Sequence, residues 1–254
     1  SAGSDAPLGI FGGTFDPVHC GHLRLAGEAI AQLGLAGVRW VPAGQPKHRD
    51  PPQVAAVDRL QMVRLALAGD PRFSVDAAEV ESGEASYTVP TLERLRAEFG
   101  PRRPLVLLLG ADAYAGLPTW HRWRELFSLA HIAVTHRPGH ALAGLPPVLA
   151  AEHEHRLMST PAMLAQTPAG GIVTFAMTPL DVSATQIRTA LAAAGLTART
   201  ARVSHLLPQA VIDKVHAAVK ATVALPEVRA RIEGTGSLVV ANTPAEFAAQ
   251  AAAE

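Results

Sequence analysis

The sequence predicts an α/β fold built on a doubly wound parallel sheet, and three observations carry the prediction. Short apolar runs alternate with segments of helical periodicity along most of the chain, as in successive strand–helix units. One run, PLVLLLGAD (Pro104–Asp112), is apolar on both faces, as a strand between two helical layers must be. The first run, Leu8–Phe11, ends at Gly12-Gly13 and passes into a helix, the place where open sheets of this class bind ligands.

Each element has its own signal. From Gly21, Leu25, Ala29, Ile30 and Leu33 recur at helical spacing until Gly34. VRWVPAG (Val38–Gly44) reads as a second strand, followed by the polar loop QPKHRDPP. VDRLQMVRLALAG (Val57–Gly69) reads as an amphipathic helix and RFSVDAAEV (Arg72–Val80) as a strand. VPTLERLRAEFG (Val89–Gly100) is a helix with proline in its first turn and glycine after it. HIAVTHRPG (His131–Gly139) and GIVTFAM (Gly171–Met177) are further strands, and VSATQIRTALAAAG (Val182–Gly195) is a helix. Between Gly139 and Gly171 an Ala-, Pro- and Gly-rich stretch reads as loop and short helix, with EHEHR as a solvated helix face.

Composition bounds the function. The 254 residues are 48% hydrophobic and 17% charged, which implies an ample core. Lys plus Arg and Asp plus Glu number 22 each, which argues against a general nucleic-acid or membrane-surface binder. Cys20 is the single cysteine, so an internal disulfide and a cysteine-rich zinc site are excluded. No run approaches the ~20 apolar residues of a membrane span. The opening SAGSDAP lacks the regions of a signal peptide, so a reduced, cytoplasmic setting is expected, with residues 1–7 a disordered N-terminal segment.

The chemistry concentrates in GIFGGTFDPVHCGHL (Gly9–Leu23). Gly12 and Gly13 permit a tight turn and close approach of a ligand to the backbone. His19 and His22, three apart, share a face in the first turn of the following helix, whose N-terminus favours an anion. Two imidazoles and a helix N-terminus suit phosphate oxygens. Without a third placed ligand they make a weak zinc site, and no G-x-G-x-x-G dinucleotide fingerprint is present. Farther on, Ser183 or Thr185 in VSATQIR can cap a helix and offer donors to phosphate, with Arg188 one turn beyond.

GGTFDPVHCGH resembles the (H/T)-x-G-H signature of the nucleotidyltransferase superfamily, in the fuller form of bacterial nicotinate-nucleotide adenylyltransferases, and VSATQIR resembles that family's I-S-x-T-x-I-R. The resemblance covers residues 8 to about 218 and implies a Rossmann-like sheet, with a transferase domain at 8–220. It implies His19, His22 and Arg188 as catalytic residues, with Gly12, Gly13, Thr14, Phe15, Gly110, Asp112, Ser183 and Thr185 at ATP and its phosphates. AGQPKHRD places Lys47 toward phosphate. EVESGEASYTVPTLERLR places Tyr87 and Thr88 at the pyridine carboxylate. LLLGADAYAGLPTWHRW supplies Trp120 to stack on the pyridine ring, and Arg137 of HIAVTHRPG lies near the mononucleotide phosphate.

The implied reaction joins ATP and nicotinate mononucleotide into deamido-NAD and pyrophosphate, with Mg²⁺ entering on ATP and no metal held by the protein alone. The alternatives are nicotinamide mononucleotide as acceptor, pantetheine-phosphate adenylyl transfer, and a nucleotide-binding module without catalysis. A homo-oligomer is left open. Residues 221–254 carry no catalytic motif and read as an appendage of unknown role, weakly similar to the C-terminal end of tricarboxylate-type periplasmic receptors.

Overall fold

The computed structural model describes residues 6–46, 51–136, 142, 144–177 and 183–193. Two compact units make up the chain, Ser1–Ile187 and Arg188–Glu254, and nearly all described residues belong to the first. Along the chain run β1 (Leu8–Gly13), α1 (Cys20–Leu33), β2 (Gly37–Pro42), β3 (Gln45–Pro46), α2 (Ala56–Ala66), β4 (Phe73–Val75), α3 (Ala78–Ser82) and β5 (Ala85–Ser86). Then follow α4 (Thr88–Phe99), β6 (Leu105–Gly110), α5 (Ala111–Ala115), α6 (Leu126–Leu129), β7 (His131–His136), α7 (Pro147–Arg156), β8 (Ile172–Ala176) and α8 (Ala184–Ala193).

Six strands form one sheet in the order β4-β2-β1-β6-β7-β8, and every pair is parallel. The expected doubly wound architecture is therefore present. The chain winds outward from β1 to β4 and then restarts at β6 on the other side. The switch point lies between β1 and β6. There β1 pairs with β2 from Leu8 to Gly13, but with β6 only through Leu8–Ile10 against Leu105–Leu107. Past Ile10 and Leu107 the two strands part, and their carboxyl ends flank the crevice in which such sheets bind ligands.

Alternation along β6 divides the core between the two faces of the sheet. Leu105, Leu107 and Leu109 join Ile10, Ile132 and Val134 against Val89, Leu92 and Leu95 of α4. Val106 and Leu108 join Phe11, Trp40, Ala133, Val173 and Phe175 against Leu25, Ala26, Ala29 and Leu33 of α1. Each such buried side chain contributes roughly 1.5–3 kcal/mol, so the switch point rests on a rigid support.

Three sequence expectations change. The strand read over Arg72–Val80 stops at Val75, because Asp76 Oδ1 accepts from the Ala78 N–H (3.0 Å) and turns the chain into α3. EHEHR is solvated only at Glu154 and His155. His153 Nδ1 pairs with the buried Tyr114 hydroxyl (2.9 Å), and Arg156 lies over the Phe127 ring while bonding Glu152 (2.7 Å). Order also begins before Leu8: Pro7 is buried and its carbonyl accepts from the Ala36 N–H (2.8 Å). Residues 1–5 lie outside the described residues.

His131 at the start of β7 is fully buried. Its Nδ1 accepts from the Gly171 N–H (3.0 Å), which puts the proton on Nε2, facing the Thr167 carbonyl (2.7 Å). Burial pushes this imidazole below its ordinary value. A lowered histidine contributes stability that is complete above its unfolded value near 6.5 and is lost as pH falls through the folded value. His19 and His153, also lowered by burial, act in the same direction. The melting temperature therefore falls between about pH 7.5 and about pH 5, and the fall is smaller in His131→Asn. An unchanged pH slope in that variant would contradict the assignment.

Candidate active site

The turn after β1 is held open for a ligand by its own packing. Phe15 sits at φ +50 with its side chain buried, a conformation rarely adopted by a bulky residue and sustained only by surrounding contacts. Those contacts are edge-on to Phe11 (5.5 Å between ring centroids) and His22 (5.1 Å), and tilted against Trp40 (5.3 Å). Gly13 is required beside this ring, since a Cβ there would lie 2.9 Å from it. The Phe15 side chain is therefore committed to the core, and only its backbone is left for any ligand.

His19 is the N-cap of α1, with extended backbone, and His22 is the third residue of the helix. Their rings stack with centroids 3.7 Å apart. The His19 N–H donates to His22 Nδ1 (3.2 Å), which fixes the His22 tautomer with its proton on Nε2, the form that donates. Burial pushes His19 below its ordinary value. No acidic residue occupies the first turn of α1, which is compatible with an anion at this end.

A second helix N-terminus completes the arrangement. Tyr87 is the N-cap of α4 and Thr88 its first residue, again with no acidic residue in the first turn. The Tyr87 ring packs against His121 (4.9 Å), which brings the segment carrying Trp120 to this end of the helix. Trp120 is half-buried at the edge of the core, whereas Trp123 lies within it. Below, Glu79 accepts from Thr91 Oγ1 (2.5 Å), and burial holds its carboxyl above the ordinary value. Gly110, at the end of β6, is the N-cap of α5, and Asp112 stands exposed in that helix's first turn, beside the switch point.

A residue the sequence reading missed ties these parts together. Arg59 of α2 is 1% exposed. Its guanidinium donates to the carbonyls of Thr14 (2.6 Å), Gly44 (2.9 Å) and Val54 (3.1 Å). Burial lowers its affinity for the proton and nearby Asp16 opposes that. Asp16 in turn accepts from the Gln53 N–H (2.8 Å) through Oδ2. An arginine between Asp58 and Leu60 on a helix carries no sequence sign of such a role.

A cytidylyltransferase-like family model matches residues 10–190. A protein of Dechloromonas aromatica named "Probable nicotinate-nucleotide adenylyltransferase" is 61% identical over 211 residues, covering 82% of this chain and 94% of its own. The chain belongs to the nicotinate-nucleotide adenylyltransferase family. A relative of the same name from Laribacter hongkongensis is 49% identical over 209 residues, 82% of this chain and 91% of its own. Among solved structures, the nicotinic acid mononucleotide adenylyltransferase of Plasmodium falciparum, complexed with NaAD, is similar in fold. Its TM-score is 0.52 at 14% identity, covering 73% of this chain and 84% of that one.

The second motif expected of this family opens α8. Ser183 accepts from the Gln186 N–H through Oγ (3.2 Å), so Ser183 rather than Thr185 caps the helix. Thr185 is exposed on its first turn, and Arg188 lies farther along α8, at the start of the second unit. Lys47 and Arg137 lie outside the described residues, as does 221–254. No helix among the described residues is long and apolar enough to cross a membrane.

Proposed function

We propose that this chain transfers the adenylyl group of ATP to nicotinate mononucleotide, forming deamido-NAD and pyrophosphate. The names of its relatives support the reaction class. The observation that carries the substrate is the pair of helix N-termini without an acidic residue in their own first turns, one at the switch-point turn and one at Tyr87-Thr88. The first suits phosphate. The second, beside Tyr87 and Trp120, suits the pyridine carboxylate and gives no such advantage to a neutral amide.

In this reaction a phosphate oxygen of the mononucleotide attacks the α-phosphorus, and the bond from that phosphorus to the pyrophosphate oxygen breaks. The attacking phosphate is already close to a dianion and needs no general base. The protein aligns the two substrates and stabilises charge that grows on the α-phosphate and the leaving group. His22, with its proton on Nε2, and His19 act as donors, and the N-terminus of α1 contributes its dipole. Ser183, Thr185 and Arg188 serve the phosphates from α8. Gly12, Gly13 and the Thr14 and Phe15 backbone form the turn beneath them, with Gly110 and Asp112 at the nucleotide.

The divalent cation, Mg²⁺ in this reading, enters on the triphosphate and draws charge from its oxygens. Its ligands in this reading are mainly phosphate oxygens. Lys47 and Arg137 are assigned to the mononucleotide phosphate. The transferase domain is assigned to 8–220, about the length of the 211-residue match, with 221–254 an appendage without separate activity. A reducing cytoplasmic setting accords with a single, exposed, unbridged cysteine.

The test is product identification. Incubated with ATP, Mg²⁺ and nicotinate mononucleotide, the protein yields deamido-NAD by mass spectrometry in a one-to-one ratio with pyrophosphate; ATP consumption without that dinucleotide would refute the reading. The pyridine end has its own prediction. Trp120→Ala raises KM for the mononucleotide about tenfold and KM for ATP less than twofold, since base–aromatic stacking contributes roughly 1–3 kcal/mol. Equal effects on both substrates would make Trp120 a packing residue.

A further inference from the structure

We propose that Arg59 is a positioning residue that holds the phosphate-binding turn and the mononucleotide end of the site in one register, acting through Gly44 and Ser86. The inference rests on the adenylyl-transfer reading for its meaning in catalysis, but its geometry is independent of it.

Arg59 contacts three segments that are distant in sequence: Thr14 in the turn after β1, Gly44 in the loop after β2, and Val54 ahead of α2. All three acceptors are backbone carbonyls. The planar guanidinium presents five donors in a fixed fork spread over three nitrogens, whereas the three donors of lysine share one nitrogen and do not reproduce that reach. From Gly44 the connection continues. The Gly44 and Gln45 N–H groups both donate to Ser86 Oγ (2.9 and 3.2 Å). β3 and β5 pair in the same place, Gln45 with Ala85 and Pro46 with Ser86. The residue after Ser86 is Tyr87, the N-cap of α4.

Two intervening residues, Gly44 and Ser86, thus separate Arg59 from the N-terminus of α4, while Thr14 touches it directly. The two ends of the site belong to different strand–helix units. Adenylyl transfer requires the attacking oxygen in line with the α-phosphorus, and a displacement near 1 Å costs on the order of 100-fold in rate. A buried side chain that spans both ends sets that alignment without touching either substrate.

The test compares Arg59→Lys, Ser86→Ala and the double variant with the parent. Arg59→Lys should lower kcat at least ~30-fold and raise KM for both substrates. Ser86→Ala, on one side of the connection, should raise KM for the mononucleotide about fivefold and leave KM for ATP unchanged. Because both act through one connection, the double variant should be no worse than Arg59→Lys within about twofold. An Arg59→Lys protein that melts earlier but keeps kcat and both KM values within about twofold overturns the proposal, as does a double variant with multiplied losses.

If circular dichroism shows Arg59→Lys unfolded, Ser86→Ala decides alone, and an equal shift in both KM values, or none, overturns the proposal. Hydrogen exchange supplies a readout apart from turnover. In folded Arg59→Lys, amides of 12–16, 44–45 and 86–88 should exchange faster together. Acceleration confined to α2 would refute the connection. A parent that releases no pyrophosphate, yet whose variant shows the joint acceleration, refutes the adenylyl-transfer reading and leaves the connection standing.

Discussion

His22→Ala should lower turnover at least ~100-fold while changing the dissociation constant for ATP far less. The expectation follows from position and protonation. His22 is the third residue of α1, its Nδ1 occupied by the His19 N–H and its proton therefore on Nε2. A donor at a helix N-terminus gains most where charge accumulates during reaction, on the α-phosphate and departing pyrophosphate, and removing one such donor typically costs 10²–10³ in kcat. A loss in kcat and kcat/KM together, with ground-state binding retained, is the signature of a contact made chiefly in the transition state. Single-turnover rates beside calorimetric ATP binding measure both quantities. Turnover within a few-fold of the parent would remove the charge-stabilising role from His22.

Gly44→Ala should be the most damaging single methyl in the described structure outside the glycine turn. A Cβ at position 44 would overlap the Glu79 carbonyl oxygen and lie 2.8 Å from its carbonyl carbon. Both are backbone atoms, so relief requires the β2 loop and α3 to separate. Overpacking of this kind costs roughly 1–3 kcal/mol and occasionally more, which corresponds to a fall of about 2–4 °C in melting temperature per kcal/mol for a domain of this size. The same separation pulls Gly44 from Arg59 and Ser86. Mononucleotide affinity should therefore fall with stability, by about tenfold in KM. Scanning calorimetry and initial rates check the pair, and an unaltered melting temperature would mean that the loop gives way without cost.

Much of this was legible in the sequence because the signals were local. The Gly12-Gly13 break after an apolar run located the switch-point turn, and the two-faced apolarity of Leu105–Leu109 identified a central strand. His19 and His22 were legible as a pair from spacing alone. Their stacking was not, because His22 is packed by Phe11 of β1 and Phe15 of the turn, and Phe15 lies against Trp40 of β2. Arg59 was invisible for a related reason. Its partners are backbone carbonyls, which leave no trace in residue identities, and a charged residue on a helix ordinarily faces solvent. The turn at Asp76 and the docked side of EHEHR were misread because one hydrogen bond from Ala78 and one from Tyr114 overrode strand propensity and polarity.

The measurement that reaches the central claim most directly is kcat/KM for nicotinate mononucleotide and for nicotinamide mononucleotide, taken from the same protein sample by coupled pyrophosphate release. The two acceptors differ only in the carboxylate or carboxamide of the pyridine ring, which the proposed reading places at the N-terminus of α4. A helix N-terminus favours an anion by roughly 0.3–1 kcal/mol when exposed and up to ~2 kcal/mol when partly buried, and backbone donors facing an anion add charge-assisted hydrogen bonds. The account predicts preference for the acid by at least ~10-fold, with deamido-NAD as product. Equal rates, preference for the amide, or no pyrophosphate from either acceptor would contradict it.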